Sequence, residues 1–318
     1  LNHSAHPPSL PRGSDRKPTG DSFLDGDWLG NRLSRQAREF LFLLVTLAAV
    51  IATFAHAPVV QNLAYNHFAD TRSFMGIPYF LDVVSNLPYL IVGLVAFDFL
   101  RGRDDPRFKA AFARPQEALH YWVFFIGVTA IAFGSAYYHI APSDNRLVWD
   151  RLPMTITFMS WLAATIGERV DRSTGLRLLP ALVGVGIYSI LRWHITELSG
   201  SGDLRAYIDV QYLSLLAIPM LSVLFPSRYT RSKTVFVVFA VYLAAKLFEI
   251  LDAQIYALGH MISGHTLKHL TAAVGAYLIL DMLRRRTYRP QPAAVGGGSG
   301  RVNGAGRNGS AAALGFHR

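Results

Sequence analysis

Five polar residues carry the chemical potential of this sequence. Ser135 and His139 stand four residues apart, Asp150 follows eleven residues after His139, and His265 and His269 again stand four apart near the end of the apolar part of the chain. Residues at i and i+4 share one face of a helix, so Ser135 pairs with His139, and His265 and His269 present both imidazoles to one side, as a metal requires. Three imidazoles that leave one position open are the ligand set of a hydrolytic zinc site, as distinct from a closed structural one. Zinc makes water acidic at about pH 7. Asp150 is then a candidate to take the water's proton, and Ser135 to donate a hydrogen bond to a developing oxyanion. The chain has no cysteine, which excludes disulfides, iron–sulfur clusters, thiolate zinc sites and cysteine nucleophiles. A plainer reading of the same residues also stands: a Ser135–Asp150 hydrogen bond between packed helices beside an interfacial histidine, with an HxxxH pair that arises by chance.

The elements that must position these residues are membrane helices. Apolar residues make up 51% of the 318 and charged residues only 16%, against about 25% charged in a typical soluble domain. Mean hydropathy is +0.26. Eight apolar stretches approach the ~20 residues that a bilayer-spanning helix needs: 39–59, 79–100, 118–140, 146–167, 176–197, 206–225, 234–257 and 264–283. The link between the third and fourth, Ala141 to Asn145, contains Pro142 and Asp144. That is turn chemistry, which makes these helices antiparallel neighbours and brings Ser135 and Asp150 to similar depth. Residues 1–36 and 287–318 are polar or Gly/Ala-rich, without periodicity, and read as disordered tails.

The formal charge of +10 is not spread as a nucleic-acid-binding face; it falls in clusters between apolar runs. Arg101, Arg103, Arg107, Lys109 and Arg114 follow the second stretch, Arg169, Arg172 and Arg177 the fourth, Arg228, Arg231 and Lys233 the sixth, and Arg284, Arg285, Arg286 and Arg289 the eighth. Alternate loops hold at most about one arginine each. By the positive-inside rule this predicts eight spans with both termini in the cytoplasm. The third span leaves, the fourth enters and the eighth enters on the opposite side, so all five polar residues converge toward the extracytoplasmic face. The Arg/Ala/Gly-rich composition points to a bacterial inner membrane.

Other intramembrane polar residues read as structural. Lys246 and Glu249 fit an intrahelical ion pair, Asp252 a partner for a ligand histidine, and Asp82, Ser85 and Asn86 lie together on the second span. His56, His67, His120, His194 and His260 lack a partner at helical spacing and read as surface or packing residues, His260 being the nearest to His265. No GxSxG elbow, Walker loop or HExxH occurs, so serine hydrolase, nucleotide and zincin readings have no support.

Taken together, Ser135-x3-His139, Asp150 and His265-x3-His269 resemble the signature of the alkaline ceramidase branch of the CREST superfamily of membrane hydrolases, and Val84-Ser85-Asn86-Leu87 resembles the start of that family's first core helix. The resemblance covers 78–285. It implies an all-α polytopic membrane protein with a seven-helix core, and leaves 37–60 as an additional N-terminal transmembrane helix. It implies that His139, His265 and His269 bind Zn²⁺, that Ser135 and Asp150 complete the site, and that the reaction is hydrolysis of a lipid amide such as ceramide. Two positions depart from the pattern. The calcium-binding segment of the eukaryotic enzymes is acidic, whereas Tyr65 to Tyr79 offers Asp70 and little else, so calcium is not expected. Lys268, before the last ligand, replaces a residue that is usually aromatic. The rival expectations are a receptor or signalling protein of the adiponectin-receptor type, which has a similar site, and a transporter using the buried Asp, Glu, Lys and His. Neither internal repeats nor broken helices favour the transporter.

Overall fold

The computed structural model describes residues 32–289. The tails read above as disordered lie outside that range except for 32–36 and 287–289. Among the described residues there is no strand, and each apolar stretch carries a helix: α1 (Arg35–Ala55), α2 (Phe80–Arg101), α3 (Ala118–Ile140), α4 (Asp144–Arg169), α5 (Arg172–Leu198), α6 (Arg205–Leu224), α7 (Thr234–Ile250) and α8 (Gly264–Arg285). Five of them, α1, α2, α3, α5 and α6, are long and apolar enough to cross a membrane. The chain is an all-α protein of membrane type.

The other three fall short for physical reasons. Helix α7 has only 17 residues. Helix α4 carries Asp144, Arg146, Asp150 and Arg151 in its first turns, and α8 carries His265, Lys268 and His269 at one end and Asp281, Arg284 and Arg285 at the other. Much of that polarity is turned inward: Asp150, Arg151, His265 and His269 are all buried. Helix α4 packs between α3 and α5 and also touches α6, while α8 packs on α7 and α2. By contrast α1 has no buried residue, and Phe40 is 66% exposed and Leu43 63%. A stripe of that kind needs lipid, not water, around it.

Helix starts follow side-chain capping. The Ser34 hydroxyl accepts from the Ala37 amide at the start of α1, the Asp171 carboxylate from Thr174 at α5, and the Ser263 hydroxyl from Thr266 at α8. Prolines sit inside α4, α5 and α6. Pro153 has no N–H for the carbonyl one turn earlier, which belongs to Trp149. Helix α3 answers with Gly134, whose missing Cβ would collide with that same carbonyl oxygen and lie 3.6 Å from the Asp150 amide nitrogen. This close approach sets the spacing of the α3–α4 pair. Gly134→Ala is expected to push the helices apart and cost about 1–3 kcal/mol, as overpacking does, read as a lowered Tm in detergent. An unchanged Tm would mean that the pair is not tightly seated here.

The two ends of the bundle differ. At one end the Glu117 carboxylate accepts hydrogen bonds from Arg172 and Tyr229. Beside it, Glu168 accepts from Tyr121 at 2.7 Å and Arg286 at 2.5 Å. That network joins α3, α4, α5 and α8. The opposite end holds the histidines.

Candidate metal centre

Helix α3 delivers His139 in its last turn, and α8 delivers His265 and His269 in its first two. All three rings are buried, and their ligand nitrogens lie within 4.8 Å of one another. His139 Nε2 and His265 Nε2 are 3.3 Å apart. Two nitrogens held at about 2.0–2.1 Å by a tetrahedral ion are themselves about 3.3–3.4 Å apart, so this pair already has the separation that one metal ion imposes. The Ser85 hydroxyl bonds His269 Nδ1 at 2.8 Å, which leaves Nε2 of that ring for the metal side. His139 Nδ1 has no partner among the described residues. The donor set is all nitrogen and uncharged, which suits zinc better than calcium or magnesium. The three residues fit a metal ion.

The surrounding chain fixes the rings. Phe68, from the segment between α1 and α2, lies edge-on to both His139 and His265, with centroids 4.6 and 4.5 Å away. Tyr138 donates to Asn66 Oδ1 at 2.8 Å, and Asn66 donates to Asp144 at 2.9 Å, so this segment is tied across the α3–α4 turn. Asp252 accepts from the His265 amide at 2.7 Å and from the Ala69 amide at 2.9 Å. It therefore partners a ligand's backbone, not its ring. Gly264 lets α8 begin against α7, since a Cβ there would collide with the Phe248 carbonyl. Asp82 is fully buried and accepts from Thr266 at 2.6 Å and Ser263 at 3.3 Å. It fastens α2 to the start of α8.

Ser135, Asp150 and His269 line one cavity of about 390 Å³, whose wall is otherwise mostly apolar. The Ser135 hydroxyl faces the Asp150 carboxylate but makes no hydrogen bond of normal geometry among the described residues. The two groups lie within reach of each other across the α3–α4 pair, as the plainer reading of a Ser–Asp contact between packed helices also requires. A buried hydroxyl without a partner beside a carboxylate and a metal-type cluster is available to a ligand.

Other residues fall as follows. Lys246 pairs with Glu249 along α7, and Lys268 of α8 joins the same carboxylate at 2.8 Å. His120 is buried and bonded to the Glu117 carbonyl, while His260 is exposed against Tyr256. Neither belongs to the cluster. In the 65–79 segment, burial would push the Asp70 carboxyl up, but the Arg72 guanidinium, bonded through two nitrogens at 2.8 and 2.7 Å, holds it below the usual carboxylate range. The one acid of that segment is already taken by a cation. Sequence spacing did not reveal the Ser85 contact with His269, the Phe68 wedge or the Lys268–Glu249 pair, because each joins elements far apart in the chain.

Comparison with protein-family models, with curated proteins and with solved structures gave no match. What stands on the molecule itself is a class. This is an all-helical protein with several helices long and apolar enough to cross a membrane, and with a buried three-histidine cluster that could hold a metal ion.

Proposed function

We propose that this chain is a zinc-dependent hydrolase, embedded in the membrane, that cleaves the amide bond of a lipid such as ceramide into a sphingoid base and a fatty acid. The observation that carries the reading is the 3.3 Å separation of the His139 and His265 nitrogens, with the third histidine, His269, lining a largely apolar cavity together with Ser135 and Asp150. Zinc held by the three imidazoles supplies Lewis acidity and makes water nucleophilic near neutral pH. Asp150 accepts the proton from the attacking water and passes it to the leaving amine. Ser135 donates its free O–H to the oxygen on which charge develops as the carbonyl carbon becomes tetrahedral. The apolar wall takes up the acyl chain and keeps bulk water from the bond that breaks.

The same reading assigns all eight helices as spans: a seven-helix core preceded by α1, with both termini cytoplasmic and the cluster toward the extracytoplasmic side of a bacterial cell membrane. The support is the charge asymmetry of the loops. Reporter fusions after Arg114 or Arg286 are expected to read cytoplasmic and an insertion near Ser143 external. A cytoplasmic signal at Ser143 would reverse the sidedness.

The function itself is tested on purified full-length protein, first by metal analysis and then by fatty-acid release from a panel of N-acyl lipids. Zinc near one per chain with amide cleavage is the expected result. Bound zinc with no turnover on any lipid amide would favour the receptor-like alternative, since the metal cluster serves both.

A further inference from the structure

The cavity carries more positive charge than its own carboxylates balance. Arg151, Lys246 and Lys268 line it against Asp150 and Glu249, and both lysines are engaged by Glu249. Arg151 is the outlier. It is 4% exposed, forms no ion pair of its own among the described residues, and leaves Nε and Nη1 without a hydrogen-bond partner. Aromatic rings hold it instead: its guanidinium carbon lies 5.0 Å from the ring centroid of Tyr65, 4.6 Å from Trp193 and 4.8 Å from Tyr207. Asp150 and the Tyr65 hydroxyl act on it, but neither closes the planar fork of donors with a carboxylate of matching geometry. A buried, unpaired guanidinium is costly, and stacking on rings fixes its plane without using its N–H groups. Its Nε and Nη1 donors thus remain unused inside a cage of three rings.

We propose that Arg151 reads the headgroup in this cavity, and that the lipid amide accepted here bears an anionic group, a carboxylate or a phosphate ester, close to the bond that is cleaved. The inference rests on the reading of the cavity as a lipid-amide site. Proximity to the reacting bond follows from position: Arg151 and Asp150 line the same cavity. A carboxylate or phosphate would take the fork's free donors in a bidentate contact and cancel the cavity's excess charge. A neutral ceramide headgroup would leave both unmet.

The test compares two pairs of lipids that share their chains and amide and differ in whether the headgroup bears an anionic group: N-oleoylglycine against N-oleoylethanolamine, and ceramide 1-phosphate against ceramide. Binding is read from tryptophan fluorescence and thermal shift of the full-length protein, and hydrolysis from oleate or fatty-acid release. The anionic member of at least one pair is expected to bind about tenfold to a hundredfold more tightly, the range of a charge-assisted hydrogen bond. Arg151→Gln is expected to erase that preference and Arg151→Lys to retain part of it, as a point charge replaces the fork. Preference within the first pair alone assigns a carboxylate, and within the second alone a phosphate. Equal affinity within both pairs overturns the proposal, as does a preference undiminished in Arg151→Gln. If that variant does not fold, an undiminished preference in Arg151→Lys has the same meaning. A charge preference in binding without cleavage of any lipid would leave the anion site standing and remove the hydrolase reading. Cleavage without charge preference would do the reverse.

Discussion

A His265→Ala/His269→Ala variant is expected to purify with less than about a tenth of the zinc that the wild type holds, because a single remaining imidazole is one ligand where a zinc site needs three or four. Each single replacement, His139→Ala included, should lower occupancy strongly. His194→Ala should not, since His194 stands apart from the cluster, its ring beside Trp193. Ser85→Ala gives the graded case. It removes the 2.8 Å bond that orients His269 and is expected to weaken metal affinity about 10- to 100-fold, as loss of a ligand's supporting partner does. Chelator competition followed by elemental analysis measures all of these. Full metal retention by the double variant would sink the three-histidine assignment.

Asp150→Asn is expected to nearly abolish lipid-amide cleavage while zinc content stays close to wild type, because in the proposed mechanism the histidines supply the ligation and the carboxylate supplies the proton acceptor. Ser135→Ala is expected to cost less than or about 10²–10³ in rate, the loss that follows removal of one oxyanion donor. The packing argues that neither change collapses the helix pair. The Ser135 hydroxyl makes no hydrogen bond of normal geometry among the described residues, and Asn has nearly the shape of Asp. Hydrolysis at wild-type rate in both variants, on the best lipid amide found, would mean that neither group takes part in the chemistry.

The helices were legible because each apolar run is bounded by turn residues or charge, and the runs coincide with α1 to α8 to within a few residues at most ends. Uniform apolarity was less informative than it looked. Helices α4 and α8 are less apolar than α3 because they carry charged and polar groups that face the interior, so two of the three helices that supply the five polar residues look least like spans. The histidine cluster was legible because His265 and His269 repeat at helical spacing and the loop charges put the end of the third apolar run and the start of the eighth on one side. The Arg151 cage was not legible. Tyr65, Trp193 and Tyr207 belong to three different segments, and no periodicity links them to residue 151. The Ser85–His269 contact spans 184 positions and is likewise a product of packing alone. Spacing identifies ligands on one helix, whereas the groups that orient them come from whichever helix packs alongside.

The chain separation of the metal ligands also bears on how the protein is made. His139 and His265 are 126 residues apart, and two of the three imidazoles sit in the last helix. During synthesis the α3–α4 hairpin, with its short turn and Gly134 contact, can assemble as soon as it enters the membrane, because its pairing is local. The three-histidine cluster cannot form until α8 has been made and seated against α2 and α7. If the cluster binds a metal ion, uptake would close a loop running from α3 to α8 and add stability only once both are in place. On the proposed reading, metal content would act as a record of completed assembly: chains stopped before Ser263 keep Ser135 and Asp150 but lack two of the three histidines.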